Sequence, residues 1–268
     1  MEKPQLALHR HSLYRINAAM NSILSNFVFG PGEKPREKRV QYNERMTCKP
    51  NCDRHSGGPP FTVVILSTLF IWLYFDRRTI DNLIFDPYNK HKAWTYLTYC
   101  LVHVGVGHVI NNCLLLLMVG IPLELAHSSF RILGIFTVGV ITAAMTHAIF
   151  SKSTFLAGSS GGVYALVFAH FSNVVINADI MDWRGIFTRI AMNLPVLAVL
   201  VYDIFFTART DTSVSVYAHT AGAFTGITIG MTLLKNFKPR PCETFFEWLF
   251  LSIFVFACLI LFILQFFV

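Results

Sequence analysis

Two polar groups in the apolar part of the chain are of types that can carry out acyl chemistry. Gly158-Ser159-Ser160-Gly161 is a turn that opens an apolar run, and His219 lies in another such run. Polar groups inside membrane-spanning segments are costly, so they are functional candidates by default. A serine hydroxyl becomes a nucleophile when a neighbouring imidazole takes its proton. Ser160 and His219 are therefore a candidate nucleophile and general base.

His108 and Asn112 form a third polar group. They lie four residues apart, so their side chains face the same way on a helix. As neutral donors they could receive the negative oxygen of a tetrahedral intermediate, together with the backbone N–H of Ser160 at a helix start. In the alternative interpretation, the nearby glycines only pack, and Ser160 and His219 only satisfy neighbouring backbone carbonyls.

Small residues would let the two helices that carry Ser160 and His219 approach closely. They recur on one face of each run. They are Gly222, Gly226 and Gly230 after His219, and Gly161, Ala165 and Ala169 after Ser160.

The composition indicates a membrane protein and excludes a soluble domain. The 268 residues are 54% hydrophobic and only 14% charged. Crossing the hydrocarbon of a bilayer takes about 20 apolar residues. Such runs are found at about 58–75, 97–121, 130–150, 155–178, 186–206, 214–234 and 246–268. The predicted fold is all-α, a polytopic bundle of seven membrane helices.

Residues 1–60 are the predicted cytosolic segment. Apolar residues at three- and four-residue steps predict an amphipathic helix at about 6–29, which could lie on a membrane face, bind a partner or pack on nothing in particular. A basic linker at 31–60 follows. Its Cys48 and Cys52 are interpreted as a reduced pair, because a zinc site needs four ligands. No cleavable signal peptide is expected at the amino terminus.

The basic linker orients the chain, because Lys and Arg near span ends stay on the cytosolic side. With the amino terminus inside, the fourth and sixth spans both run from the outer to the inner face. Ser160 and His219 then lie about five and six residues from the outer ends of these spans. We therefore expect them at similar depth in the outer half of the bilayer.

These motifs resemble those of the rhomboid family of intramembrane serine proteases, over about 60–268. They are G-x-S-x at Gly158 to Gly161, A-H-x-x-G-x-x-x-G at Ala218 to Gly226, and H-x-x-x-N at His108 to Asn112. The resemblance implies that Ser160 is the nucleophile and His219 the base. The implied oxyanion donors are His108, Asn112 and the Ser160 N–H. The implied supporting residues are Tyr164, Gly158, Gly161, Gly222, Gly226, Glu124, Trp94 and His103.

Four of these supporting residues have stated roles by the resemblance. Tyr164 would stack on the base, and Glu124 would be a structural glutamate at the inner end of the second span. Trp94, like His103, would anchor the first loop. Thr95 stands where family members commonly carry arginine, so the hydrogen bonds of that arginine are not expected. Ser159 replaces a frequent alanine.

The resemblance further implies a six-span catalytic core at 61–245 and a seventh helix at 246–268, as in the animal secretory-pathway branch. The implied function is an endopeptidase that cleaves single-span membrane proteins near the outer or luminal face, in the Golgi, endosome or plasma membrane. The implied partners are these substrates and the lipid bilayer, with no nucleic acid, metal or organic cofactor. Two alternatives remain: an inactive relative that binds and routes membrane clients, and a seven-span receptor or transporter.

Other polar residues receive interpretations of their own. Ser159, His103 and Asn111 are expected to line an aqueous cavity, because polar groups at that depth need water or protein around them. Pro195 could loosen the fifth span as a gate for substrate. His147 and His170 are interpreted as packing or interface residues, and Asp203 as an interfacial one.

Overall fold

The computed structural model describes residues 61–75, 80–151, 154–181, 183–205, 216–238 and 243–267. The amphipathic helix predicted at 6–29, the linker at 31–60 and the Cys48–Cys52 pair lie outside these residues. Predictions about them stay predictions.

The described residues are helical, and a helix lies at each of the seven predicted spans. The helices are α1 (Phe61–Phe75), α2 (Ile80–Leu83), α3 (Thr95–Thr98), α4 (Val106–His127), α5 (Ser129–Phe150), α6 (Ser160–Asn177), α7 (Trp183–Phe205), α8 (Val216–Leu233) and α9 (Glu243–Leu264). Short 3₁₀ turns follow α3 at Tyr99–Leu101 and α6 at Ala178–Ile180. The described ranges contain no strand, only an isolated bridge between Phe85 and Leu156. The all-α prediction is confirmed.

Four helices are long and apolar enough to cross a membrane by themselves. They are α4, α5, α9 and α6 together with its 3₁₀ turn to Ile180. The apolar α1 is shorter, and α8 is rich in glycine and threonine, which lowers its mean hydropathy. Helices of this kind satisfy their own backbone hydrogen bonds, which is what a membrane requires.

The tightest packing joins α6 to α8, with α5 against both. Gly222 and Gly226 on α8 meet the carbonyl groups of Gly161 and Ala165, and a Cβ on either glycine would overlap those oxygens. Gly139 on α5 approaches α6 just as closely, because a Cβ there would lie 2.5 Å from the Cβ of Ala165. The predicted contact between small-residue faces is confirmed.

Glu124, near the end of α4, binds the start of α1. Its buried carboxylate accepts the backbone N–H groups of Thr62 at 2.9 Å and Val63 at 3.0 Å. The first amides of a helix have no acceptor within the helix, so an acidic side chain there stabilises the helix start. The position fits the structural role that the resemblance implied.

Buried histidines connect helices to neighbouring backbone. His170 Nε2 on α6 lies 2.8 Å from the carbonyl of Val119 on α4, and His147 Nε2 on α5 lies 2.8 Å from the carbonyl of Thr154. A buried carbonyl without a donor is costly, so each contact stabilises the packing. Both residues are placed as packing residues, as the sequence indicated.

The last helix, α9, lies at the edge of the bundle against α8 and α5. In the described part of α9, Phe254 is the side chain that is buried in the bundle. Beyond its end, Gln265 Oε1 accepts the hydroxyl of Tyr96 from α3 at 3.0 Å. The seventh helix is thereby tied to the loop between α1 and α4.

Candidate active site

Ser160 and His219 lie within hydrogen-bond distance. Ser160 is the first residue of α6, and His219 lies in the first turn of α8. The Nε2 atom of His219 is 3.0 Å from the Ser160 hydroxyl oxygen. An imidazole that accepts this hydroxyl proton at Nε2 carries its own proton on Nδ1. The pair therefore has the geometry that a serine nucleophile and a general base require.

Tyr164 holds the imidazole from one side. It lies one turn after Ser160, and its ring stacks on the ring of His219 with centroids 4.4 Å apart and an angle of 14°. Both side chains are buried. The stack restricts rotation of the imidazole, so Nε2 stays directed at Ser160.

The turn before Ser160 requires glycine at Gly158. Its φ is +111°, a backbone conformation that residues other than glycine rarely adopt. A Cβ at this position would also lie 2.5 Å from Cε1 of His108. The His108 ring therefore packs directly on the turn, two residues before the candidate nucleophile.

Asn112 faces the same turn from one helical turn further along α4. Its Nδ2 donates to the backbone carbonyl of His108 at 3.0 Å, and its Oδ1 accepts the hydroxyl of Ser159 at 3.2 Å. The structure thus brings together Ser160, His219, His108 and Asn112, as the sequence predicted. An amide has two N–H groups, so one N–H of Asn112 remains beyond its bond to His108.

Ser159 and His103 lie buried against each other. The Nε2 atom of His103 is 3.2 Å from the Ser159 hydroxyl and 3.4 Å from its backbone nitrogen. Ser159 is 0% and His103 5% exposed, whereas Asn111 is on the exposed side of α4. The expected aqueous cavity is thus not lined by all three residues, because Ser159 and His103 are enclosed in protein and contact each other.

His103 belongs to the loop before α4. Its ring centroid lies 5.2 Å from that of His108.

The loop that carries His103 has hydrogen bonds of its own in place of those of the missing arginine. The Thr95 hydroxyl donates to the carbonyl of Lys92 at 2.7 Å, and the indole of Trp94 donates to that of Asn82 at 2.9 Å. Thr95 is 2% exposed. Threonine is small enough for this buried position, and its hydroxyl is satisfied by the bond to the Lys92 carbonyl.

Comparison with known proteins supports the resemblance. A family model described as the Rhomboid domain matches residues 90–236. The chain is 31% identical over 245 residues to rhomboid-related protein 2 of Mus musculus, an alignment that covers 84% of this chain and 78% of that protein.

The chain belongs to the rhomboid family.

Two further relatives of this rhomboid bear on its activity. It is 30% identical over 248 residues to rhomboid-related protein 3 of Homo sapiens, covering 82% of this chain and 58% of that protein. It is also 31% identical over 193 residues to inactive rhomboid-related protein 2 of Caenorhabditis elegans. That alignment covers 69% of this chain and 53% of that protein. The chain thus spans little more than half of these two relatives. Family membership makes it a multi-pass membrane protein, and its relatives include a protein named inactive.

Tyr99 supports the turn of this rhomboid in a way that the sequence did not indicate. Its carbonyl accepts the N–H of Gly158 at 3.2 Å, and its hydroxyl donates to the carbonyl of Val140 on α5 at 2.9 Å. Residues of the loop thereby fix the turn before Ser160 to α5. A tyrosine in a single short 3₁₀ turn has no periodic partner, so no spacing pattern could have found it.

Groups of three or more metal-ligating side chains are absent from the described residues. The chemistry that the arrangement supports is a nucleophilic one, carried by a hydroxyl, an imidazole and nearby donors.

Proposed function

We propose that this rhomboid is an intramembrane serine endopeptidase that cleaves single-span membrane proteins near the outer or luminal membrane face. The observation that carries the proposal is the 3.0 Å contact between His219 Nε2 and Ser160 Oγ at the ends of two tightly packed helices. Rhomboid membership supports the reaction class.

The proposed reaction begins when Ser160 Oγ attacks the scissile carbonyl carbon and His219 Nε2 takes the hydroxyl proton. The carbonyl oxygen becomes an oxyanion, for which His108, Asn112 and the Ser160 N–H are the proposed donors. The C–N bond then breaks, and the Nε2 proton passes to the leaving amine. An acyl-enzyme ester to Ser160 remains.

Hydrolysis of this ester repeats the same steps with water. His219 Nε2 takes a proton from the attacking water, and the second tetrahedral intermediate collapses with return of that proton to Ser160 Oγ. The products are a free carboxyl group on the substrate and the original enzyme. His219 carries every proton that is transferred. This mechanism therefore uses two catalytic side chains and no additional acidic one.

The basic residues before the first span and the helix after the core support a proposed orientation and cellular location. The basic residues before the first span support a cytosolic amino terminus, which puts Ser160 in the outer half of the bilayer. The helix after the six-span core supports a secretory-pathway location. Substrate would enter beside α7, where Pro195 lies inside the helix and removes one backbone hydrogen bond.

A second candidate function is a rhomboid-like protein that binds and routes membrane clients with little or no cleavage. The relative named inactive is the observation in its favour. The presence of both Ser160 and His219 favours the protease.

Co-expression with a tagged single-span reporter tests the proposal. We expect the wild type to release the luminal part of the reporter, and Ser160→Ala and His219→Ala to reduce release at least about 100-fold. Ser172→Ala is a matched control, because it removes another buried hydroxyl from α6, one bound to the carbonyls of Gly226 and Ile227. Release that persists in both site variants, at equal protein levels, would refute the protease.

A further inference from the structure

Ser159 is an N-cap residue whose side chain does not cap its helix. Serine is favoured at this position because its hydroxyl normally accepts a backbone N–H of the first turn. In this chain no such bond is made, and the hydroxyl is donated to Asn112 Oδ1 on α4 at 3.2 Å. The local hydrogen bond has been replaced by one that connects two helices across the site.

The other side of Ser159 is occupied by His103. The Nε2 atom of His103 lies 3.2 Å from the Ser159 hydroxyl, and that hydroxyl donates to Asn112 Oδ1 at 3.2 Å. A hydrogen bond in a low-dielectric interior is electrostatically stronger than the same bond in water. Ser159 and His103 are 0% and 5% exposed, so water does not compete for these bonds.

These contacts determine the orientation of the Asn112 amide. Its oxygen is held by Ser159 and its nitrogen by the His108 carbonyl, which only accepts hydrogen bonds and therefore selects the nitrogen end of the amide. A rotated amide would place its oxygen against the His108 carbonyl oxygen, where neither atom can donate a hydrogen bond. Two bonds to different segments therefore keep the remaining N–H of Asn112 in one direction.

We propose that Ser159 is a positioning residue, which acts through Asn112 to orient the amide that donates to the oxyanion. The inference rests on the proposed protease function and adds a residue to it. Ser159 itself contacts neither Ser160 Oγ nor His219 in this role. A preorganised donor accelerates a reaction because it needs no rotation when negative charge develops.

Kinetics of the purified full chain in proteoliposomes test this role, with a tagged single-span reporter as substrate. We expect Ser159→Ala to lower kcat about tenfold and to leave KM within about twofold, because the lost interaction matters only in the transition state. Ser172→Ala is the matched control, as a buried α6 serine away from the site. It is expected to keep kcat within about twofold of wild type even where it lowers the unfolding temperature.

A double-mutant cycle with Asn112→Ala separates positioning from mere packing. If Ser159 acts through Asn112, then Ser159→Ala lowers kcat no further in the Asn112→Ala background. Two effects that multiply, or a Ser159→Ala kcat equal to wild type, would overturn the proposal. If Ser159→Ala fails to fold, Ser159→Cys takes its place in the same cycle, since the thiol is a weak donor of similar shape.

Ser160→Ala distinguishes failure of this inference from failure of the protease itself. Loss of cleavage in Ser160→Ala with an unchanged Ser159→Ala enzyme refutes only the positioning role. Cleavage that persists in Ser160→Ala refutes the protease and, with it, the role of Ser159.

Discussion

Gly222 on α8 rests directly on the backbone carbonyl of Gly161 on α6. No side-chain atom fits between them, because a Cβ on Gly222 would overlap the carbonyl oxygen and lie 3.2 Å from Cβ of Tyr164. Gly222 is three residues after His219, and Gly161 is the residue after Ser160. The distance between the candidate base and nucleophile is therefore set by backbone-to-backbone contact.

Gly222→Ala should separate the two helices and lengthen the Ser160–His219 contact. We expect cleavage to fall at least about tenfold and the free energy of unfolding to drop by about 1–3 kcal/mol, since the carbonyl cannot move aside easily. Reporter cleavage and thermal unfolding of the purified protein measure both effects. Gly134→Ala is the control, because a Cβ there would only touch the flexible end of Leu233 at 3.4 Å. Equal behaviour of the two variants would contradict this account of the packing.

Tyr164→Leu should disturb the orientation of the His219 imidazole and lower activity. Tyr164→Phe should preserve both. The phenylalanine ring can stack on His219 as the tyrosine ring does, whereas leucine offers no flat face. We expect the phenylalanine variant to keep at least about half of the activity and the leucine variant to lose about tenfold. Turnover of the reporter at saturating concentration provides the comparison. A phenylalanine variant as impaired as the leucine variant would show that the hydroxyl, and not the stack, is what matters.

Glu124→Gln should destabilise the fold. The amide keeps one oxygen, so one of the two α1 amides of Thr62 and Val63 loses its acceptor in a buried place. We expect a cost of about 1–3 kcal/mol, observed as a lower unfolding temperature in detergent. Glu247→Gln on the more exposed α9 is the control, with an expected change within about 0.5 kcal/mol. If the two variants unfolded at the same temperature, the proposed cap on α1 would contribute nothing to stability.

Tyr96→Phe should release the loop from the seventh helix. The variant loses the bond to Gln265 Oε1 and little else. A bond of this kind contributes about 0.5–1.5 kcal/mol, so we expect amide hydrogen exchange in residues 94–101 to accelerate severalfold. The exposed Tyr88 serves as a control, because its change to phenylalanine removes a hydroxyl from the surface. Unchanged exchange in the Tyr96 variant would mean that α9 does not restrain the loop.

The sequence was sufficient for the parts of the site that repeat or that lie on regular helices. The predicted spans placed Ser160 and His219 near the starts of two helices, and the four-residue spacing of small residues indicated which faces meet. Those predictions succeed because helix geometry converts spacing in sequence into position in space. Their outcome is the close contact between α6 and α8.

Contacts that depend on irregular segments could not be predicted in this way. The approach of His103 to Ser159, and the support of Gly158 by Tyr99, join a loop to a turn more than 50 residues away. Their positions follow from how the loop folds on α4 and α5, and no periodicity in the sequence encodes that path. For the same reason Ser159 was expected at a water-filled cavity, whereas it is enclosed between His103 and Asn112.

Covalent labelling of the purified protein by a fluorophosphonate probe tests whether Ser160 is a nucleophile activated by His219. The probe forms an oxygen–phosphorus bond with an activated serine and releases fluoride, and mass spectrometry locates the adduct. We expect one adduct, on Ser160 and not on Ser159, that is absent in Ser160→Ala. We expect the rate of labelling to fall at least about 100-fold in His219→Ala. An adduct on Ser159, or labelling of Ser160 that is unaffected by loss of His219, would contradict the account.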